Sequence, residues 1–594
     1  MREKYILGLS AFYHNSAAAL IADSKIIAAA EEERFTRIKG DSGFPINSIK
    51  FCLDKARIFP EDLECVVFYE NPVRKFERIF TGAFLNAPKS ITQFSLAMPD
   101  WITNKLWIEK TIRKELMIKN DVPVLFPEHH ISHAASAFYP SPYEEAAIIT
   151  IDGVGEWTTT AYGTGKKNQI QMIGECRYPN SLGLLYSAFT FYTGFKINNG
   201  EYKMMGLAPY GKPKYADIIK EKLVTIGEDG SILLNQQYFS FTYSMKTINK
   251  KFEELFGRKR RKPDEPITEF FSDIASSIQE VTNEIILKMA QFVRNKTNMK
   301  NLVMAGGVAL NVTAIGELKK SGIFDSIWIQ PAAGDSGAAL GAAYYGYYSD
   351  KNRKRYVSVF DSMRAGYLGY SIENNSVEDD KTLEKLKVSW KSYSDEKLAL
   401  LIAEFISKGK IVAIARGPAE FGPRALGNRS ILADARDAKM LQRLNSKIKF
   451  REGFRPFAPA VIKEDASQFF DIEEESKYML LAVPVKEERR LPLKYGKTLA
   501  ETASFARSDI PAVTHIDYSA RVQTVDKKDN PFFYRVLTEF KKLTGLGVVI
   551  NTSFNIKGEP IVNNACDAYH SFINSGIDCV VIGNRIIMKD DMEG

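Results

Sequence analysis

A chain of 594 residues is too long for one hydrophobic core and calls for two large domains or several smaller ones. Its 45% hydrophobic and 26% charged composition is that of a soluble globular protein, no run approaches the roughly 18 to 20 consecutive apolar residues of a membrane span, and the N-terminus opens without a signal-peptide pattern. The net charge of +8 suits anionic small molecules, no aromatic-interleaved basic stripe marks a nucleic-acid binder, and five cysteines without a CxxC pair exclude a thiolate zinc site and point to a reducing cytoplasm.

In chain order, Tyr5 to Ser10 reads as a buried strand, Ala17 to Ile21 as a second and Lys25 to Ala30 as a third, with Ala11 to Ser16 looping between the first two. His14 stands in that loop. Imidazole titrates near neutrality, which makes His14 the candidate general base. Glu31 to Lys39 predicts a helix start or a charged turn. The chain has six histidines, and three fall within Phe126 to Ala134. On a helix His129 and His133, four apart, project from one face, where two imidazoles converge on one metal ion; His130 points elsewhere. Asp152 follows the apolar run Ala146 to Ile151, which delivers its carboxylate to the mouth of a sheet, and Asp335 lies in the glycine-bordered loop Pro331 to Gly337. Imidazole and carboxylate without thiolate suit iron first, with manganese or zinc as alternatives, and leave positions open for substrate. The runs Ala146 to Ile151, Thr158 to Tyr162 and Gln169 to Glu175 repeat the grammar of the N-terminus: strand, polar loop, strand, turn, strand. Such a duplication is the pattern of the actin-like ATPase architecture, in which nucleotide lies between two related lobes.

Further on, Asn198 to Gly211 is loop-rich and embeds Lys203, a candidate phosphate contact, and the basic run Gly257 to Lys262, flanked by prolines, reads as an exposed loop. From Phe271 the apolar positions 271, 274, 278, 281, 285, 289 and 292 predict a long amphipathic helix. It leads to the strand Asn301 to Ala305 and then Gly306 and Gly307, whose bare backbone lets an adenosine approach closely. The composition turns polar around Ser349 to Asp380, which divides the chain into a domain over 1–355, a linker over 356–385 and a domain over 386–594. Between Arg416 and Lys463 there are eleven Lys or Arg against four Asp or Glu. Arg424, Arg429, Lys449, Arg451 and Arg455 sit beside Gly, Pro or Phe, and such pre-set cations suit a phosphate substrate. Asn551, Thr552 and Ser553 follow the strand Gly547 to Ile550, where amides and hydroxyls line a phosphate pocket or form a turn.

Taken together, Gly8 to Ala19, Glu31 to Lys39, His129 to Ala134, Met205 to Gly211, Glu420 to Ser430, Phe454 to Pro459 and Asn551 to Asn555 closely resemble, nearly end to end and in order, the O-carbamoyltransferases of the nodulation-factor and antibiotic-tailoring family. The resemblance implies an α/β protein: an N-terminal actin-like ATPase duplication similar to the tRNA threonylcarbamoyl transferases, and a C-terminal α/β domain similar to the enzymes that make threonylcarbamoyl adenylate. The implied chemistry is ATP-dependent. Carbamoyl phosphate and ATP with magnesium give carbamoyl adenylate, and the carbamoyl group then passes to a hydroxyl of a small natural product or sugar. By the same resemblance His129, His133, Asp152 and Asp335 would hold a divalent metal such as iron, and His14 would deprotonate the acceptor. Arg424, Lys449, Arg451 and Arg455 would hold carbamoyl phosphate and the triphosphate beside Asn551, Thr552 and Ser553, while Gly306, Gly307 and Asn311 would cradle the adenylate. Tyr518 and Gly369-Tyr-Ser371 depart from the family pattern, which more usually has a glycine and a Gly-Pro there. The expected partners are carbamoyl phosphate, ATP and a small hydroxyl acceptor, with no nucleic acid and no membrane; a homodimer stays open. Two alternatives stand beside this reading: a threonylcarbamoyl-type tRNA enzyme, and an actin-like ATPase without transfer activity. Hydrogenase-maturation carbamoyltransferases are disfavoured, because their cysteine zinc fingers are missing.

Overall fold

A computed structural model describes residues 3–358 and 360–589. The chain forms two compact units, the first from residues 1–32 and 42–362, the second from residues 33–41 and 363–594. The expected linker over 356–385 is corrected by this division, because Tyr367–Ile372 is a strand and Val377–Lys385 a helix of the second unit.

The first unit is a duplication. Strands β1 (Tyr5–Ser10), β2 (Ala17–Ala22) and β3 (Lys25–Glu31) form an antiparallel meander, and β4 (Leu63–Phe68) and β5 (Val124–Leu125) add in parallel, in the order β3-β2-β1-β4-β5. Helix α1 (Pro72–Leu85) follows β4, and helix α2 (His129–Phe138) follows β5. The second sheet uses β6 (Glu145–Ile151), β7 (Thr158–Lys166) and β8 (Gln169–Arg177), then, after helix α3 (Glu269–Thr297), β9 (Asn301–Ala305) and β10 (Ser326–Ile329). Its order is β8-β7-β6-β9-β10, with the same directions strand for strand. Two copies of one five-stranded pattern, each with a polar loop between its first two strands, are the actin-like ATPase fold expected from the repeat.

Helix α4 (Asp335–Tyr348) positions the site. Its sequence is Asp-Ser-Gly-Ala-Ala-Leu-Gly-Ala-Ala, so its faces are nearly flat and it packs directly on β1 and α2. A Cβ on Gly8 would collide with the Ala339 carbonyl, and one on Gly341 with the Ser132 carbonyl. The backbones meet because these side chains are missing. Asp335, expected in a loop, is the first residue of this helix, where the partial positive charge of the N-terminus favours a carboxylate. In α3 the positions predicted apolar are buried, except Phe292, which is partly exposed.

The basic run 258–262 is less open than its composition implies. Arg261 is buried and donates to the carbonyls of Thr193, Pro263 and Glu265. Arg260 donates to Phe191 O and lies 3.7 Å from the Phe191 ring centre. These arginines fasten a loop to the first unit, which leaves no polyanion patch.

In the second unit, β11 (Tyr367–Ile372) pairs with a strand of its own further on. An eight-stranded mixed sheet joins β12 (Lys391–Ser392), β13 (Val412–Ala415), β15 (Arg429–Asp434), β16 (Ala458–Ile462), β17 (Gln523–Val525), β18 (Val548–Ser553), β19 (Cys579–Ile582) and β20 (Arg585–Met588), in the order β12-β20-β19-β13-β15-β18-β16-β17. The partner of β11 is β14 (Gly417–Glu420), set between β13 and β15 in the chain. Helices α5 (Asp395–Ser407) and α6 (Pro531–Thr544) cover one face. They bury Leu398, Ile402 and Ile406 of α5 and Phe533, Leu537 and Phe540 of α6 against Val412, Ile414 and Val549, at about 1.5 to 3 kcal/mol for each large side chain.

Residues 33–41 belong to this unit through specific bonds. Arg34 donates to Gly422 O at 2.9 Å, and Arg37 to Ile561 O at 2.7 Å and Pro560 O at 3.0 Å. Lys39 reaches Glu559 O at 3.5 Å. Tyr518 has φ of +64°, a left-handed backbone that explains why a glycine is more usual there. Its hydroxyl donates to Leu491 O at 2.7 Å and Arg490 stacks on its ring, which offsets the strain.

Candidate active site

In the first unit the four residues singled out as metal ligands converge. Helix α2 puts His129 and His133 one turn apart on one face, with Nε2 atoms 3.0 Å from each other. Asp152, just past β6, brings Oδ2 to 3.1 Å from His129 Nε2 and 3.3 Å from His133 Nε2. Asp335 Oδ1, from the start of α4, lies 3.7 and 3.6 Å from the same two nitrogens. One donor atom from each residue falls within 4.8 Å of the other three.

These separations fit a shared cation. Ligands held about 2.1 Å from one ion stand roughly 3.0 to 3.4 Å apart, and two imidazole nitrogens at 3.0 Å repel unless something positive lies between them. Without an ion, protons take that role. Burial opposes charge on His129, but Asp152, Glu70 and Asp335 outweigh it and raise its pKa to about 10. Burial likewise opposes ionisation of Asp152, and the hydrogen bonds of His129 and His133 overcome it, holding that carboxyl well below its usual range. His130 stays neutral, because burial and its two histidine neighbours push its pKa far down; it faces Thr150 Oγ1 at 2.7 Å.

The surrounding shell fixes the ligands. Glu70 Oε2 is 3.6 Å from His129 Nδ1 and is itself held by Lys75 Nζ at 2.6 and 2.8 Å. Glu156 accepts from the His129 N–H at 3.1 Å. Such a carboxylate behind a ligating histidine sets its tautomer and ring orientation. Sequence reading missed Glu70 and Lys75, which follow β4 in an ordinary-looking Tyr-Glu-Asn-Pro stretch. His14, on the loop between β1 and β2, places Nε2 4.0 Å from Asp335 Oδ2.

The other first-unit candidates answer to packing. Gly306 has φ of +91° and lies so close to Ile151 that a Cβ would strike its carbonyl, while the Gly307 N–H donates to Asp152 Oδ1 at 3.2 Å. Asn311 caps the helix that follows it through Ala314 N and exchanges two hydrogen bonds with Gln279. Lys203 is half-buried on the helix Glu201–Leu207, 5.8 Å from the Phe195 ring centre.

In the second unit the cations divide. Arg429 is fully buried, and its guanidinium donates to Asn563 O, Arg416 O, Gly417 O, Asn428 O and Tyr370 O. The expectation that it binds carbamoyl phosphate is corrected, because its donors are spent on backbone carbonyls. Lys449 is corrected for a similar reason: its ammonium sits among Ser553 O, Ser553 Oγ at 3.3 Å, Asn555 O at 3.0 Å and Asn555 Oδ1 at 3.0 Å. Arg429→Ala is therefore expected to lower stability by at least about 3 kcal/mol, since a buried carbonyl left without its donor costs about 1 to 3 kcal/mol. Denaturant unfolding checks this; a variant of undiminished stability that had lost activity would return Arg429 to a binding role.

Arg424, Arg451 and Arg455 gather around a fourth guanidinium, Arg521, which sequence reading passed over. Burial, then Arg424, Arg451 and Arg455 in turn, push the pKa of Arg521 well down, and its Nε is buried without a hydrogen-bond partner. Lys39 adds its charge on the Lys449 side. Arg451 is aimed by Asn445 Oδ1 at 2.6 Å and by the Phe457 ring at 4.5 Å. Asn551 binds Ala425 O and Gln523 Oε1, which ties the end of β18 to the Arg424 loop, and Thr552 and Ser553 follow it on that strand.

Residues 5–344 match the family model described as carbamoyltransferase N-terminus, and residues 403–589 match carbamoyltransferase C-terminus. The chain belongs to the carbamoyltransferase family. Among relatives of this carbamoyltransferase, an uncharacterized protein of Synechocystis is 46% identical over 98% of this chain and 97% of its own. Nodulation protein NolNO of Sinorhizobium fredii is 34% identical over 97% of this chain and 79% of its own, and nodulation protein NolO of Bradyrhizobium diazoefficiens is 34% identical over 78% of each. The enzyme moves a carbamoyl group, and both clusters lie inside the matched segments. No helix among the described residues is long and apolar enough to cross a membrane.

Proposed function

We propose that this carbamoyltransferase is ATP-dependent and transfers to a hydroxyl, with its two chemical steps divided between the two units. In the second unit, water releases phosphate from carbamoyl phosphate. A carbamate oxygen then attacks the α-phosphorus of magnesium-bound ATP, the bond to pyrophosphate breaks, and carbamoyl adenylate forms. In the first unit an acceptor oxygen attacks the carbamoyl carbon, AMP leaves, and His14 takes the proton from the acceptor hydroxyl.

The observation that carries this reading is the set of guanidinium groups around Arg521. Four like charges held together and partly desolvated oppose folding, and a polyanion bound among them turns that cost into affinity. A triphosphate with carbamoyl phosphate supplies such a polyanion. In the first unit, His129, His133, Asp152 and Asp335 would hold a divalent metal, iron by the donor set, with manganese or zinc next. Such an ion polarises a carbonyl or phosphoryl oxygen and stabilises developing negative charge. His14 has a separate task near Asp335, whose carboxylate favours the protonated imidazole that proton abstraction produces.

The test is exchange of labelled pyrophosphate into ATP, followed with and without carbamoyl phosphate. Exchange that depends on carbamoyl phosphate is the expected result, and exchange with threonine and bicarbonate in its place would point to the threonylcarbamoyl alternative. His14→Ala should abolish carbamoylation of a hydroxyl acceptor and keep the exchange. Loss of both together would end the division of labour.

A further inference from the structure

Helix α1 carries its charges inward. Its buried residues are Pro72, Lys75 and Arg78, whereas Val73, Phe80, Phe84 and Leu85 are exposed, the reverse of the usual surface helix. Lys75 is accounted for by Glu70, and its ammonium also lies 5.0 Å from the ring centre of Tyr13, whose ring in turn packs on His14 at 4.6 Å. Arg78 is three residues along and so on the same face.

Nothing comparable accounts for Arg78. Its side chain is 9% exposed, its guanidinium lies 5.2 Å over the Tyr178 ring, and its Nε is buried without a hydrogen-bond partner. Among the described residues no hydrogen bond or ion pair engages this guanidinium. The carboxylates nearest in influence, Glu70 and Glu156, are committed: Glu70 to Lys75, and Glu156 to the N–H groups of Asn71 and His129. A buried guanidinium with five donors and no acceptor is costly. Stacking on a tyrosine covers the face of the cation and leaves its edge for a planar or tetrahedral anion.

We propose that Arg78 is the anion-recognition group of the acceptor site, taking a carboxylate or phosphate borne by the hydroxyl acceptor and so bringing that hydroxyl to His14. This rests on the transfer reading above and adds the chemical class of the acceptor: a hydroxyl compound with an anionic group. Tyr178 backs the guanidinium, and Lys75 with Tyr13 spans the distance to the base.

The probes are matched pairs: glucose 6-phosphate against glucose, and glycerate or glycerol 3-phosphate against glycerol. Binding to the full chain is measured by calorimetry, with a non-hydrolysable ATP analogue filling the cations of the second unit. The wild type is expected to bind the charged member about tenfold or more tightly than the neutral one. Arg78→Gln should erase the difference by weakening the charged member alone, and Arg78→Lys, which keeps the charge and loses the planar fork, should reduce it. A wild type that does not distinguish the pairs overturns the proposal, as does equal weakening of both members, the mark of a packing role. If Arg78→Gln does not fold, Arg78→Lys decides, and an unchanged ratio there is the overturning result. Weaker AMP binding in the variants with acceptor probes unaffected would assign Arg78 to the donor phosphate and also end the proposal. Pyrophosphate exchange by the wild type reports separately on adenylation: its absence alongside Arg78-dependent binding would sink that reading and spare this one.

Discussion

Asp152→Asn is expected to lower carbamoyl transfer at least about 1000-fold and to cut bound metal from one ion per chain to a small fraction. Asn keeps the size of the side chain and one oxygen for the Gly307 N–H. It removes the one anion that touches both imidazoles, at 3.1 and 3.3 Å. Its amide N–H₂ would then compete with the ion for the two Nε2 atoms, turning an attraction into a clash of donors. Metal content by elemental analysis and transfer rate should fall together, with pyrophosphate exchange retained by the second unit. Full metal occupancy in the variant would show that Asp335 and the histidines suffice, and the four-ligand set would have to be redrawn.

The second large effect is expected at Arg521. Arg521→Ala should reduce carbamoyl-phosphate-dependent pyrophosphate exchange by roughly 100-fold, about 2.7 kcal/mol, the worth of a strong charge-assisted contact. Stability should move the other way. Arg424, Arg451 and Arg455 all bear on Arg521, so removing it relieves repulsion, and the melting temperature should hold or rise. A structural arginine would lose stability and activity in step. A fall in melting temperature with unchanged exchange would therefore remove Arg521 from the binding site.

Much of the first unit was legible because its signals are local. The apolar runs around Gly8 and Ile148 are single strands bounded by polar loops, so their repetition could be read directly, and His129 and His133 needed only the helical period. Asp335 could be found from its glycines, although its place at a helix start could not, because flat small residues resemble a loop until they are packed. The second unit was harder. Arg424 and Arg429 share one Gly-Pro-Arg stretch, yet one faces the cationic cluster and the other feeds five carbonyls, a difference decided by β11 and by Asn563, which are remote in sequence. Arg521 and Lys39 were passed over for the same reason. Each reaches its cluster from far along the chain, and no local pattern records that. Glu70 reads as an unremarkable acidic residue until the Lys75 ammonium and the His129 ring close on it.

The short stretch 33–41 bears on how such a gene could be divided. A cut at 362/363 would part the chain where its two units part, yet the downstream piece would lack the Arg34, Arg37 and Lys39 side chains that bind the carbonyls of Gly422, Ile561, Pro560 and Glu559. Those acceptors would open to water together with one of the cations near Lys449. Nine residues encoded near the start of the gene thus oblige the two activities to be inherited as one polypeptide, and a split version would need the stretch copied onto its second half.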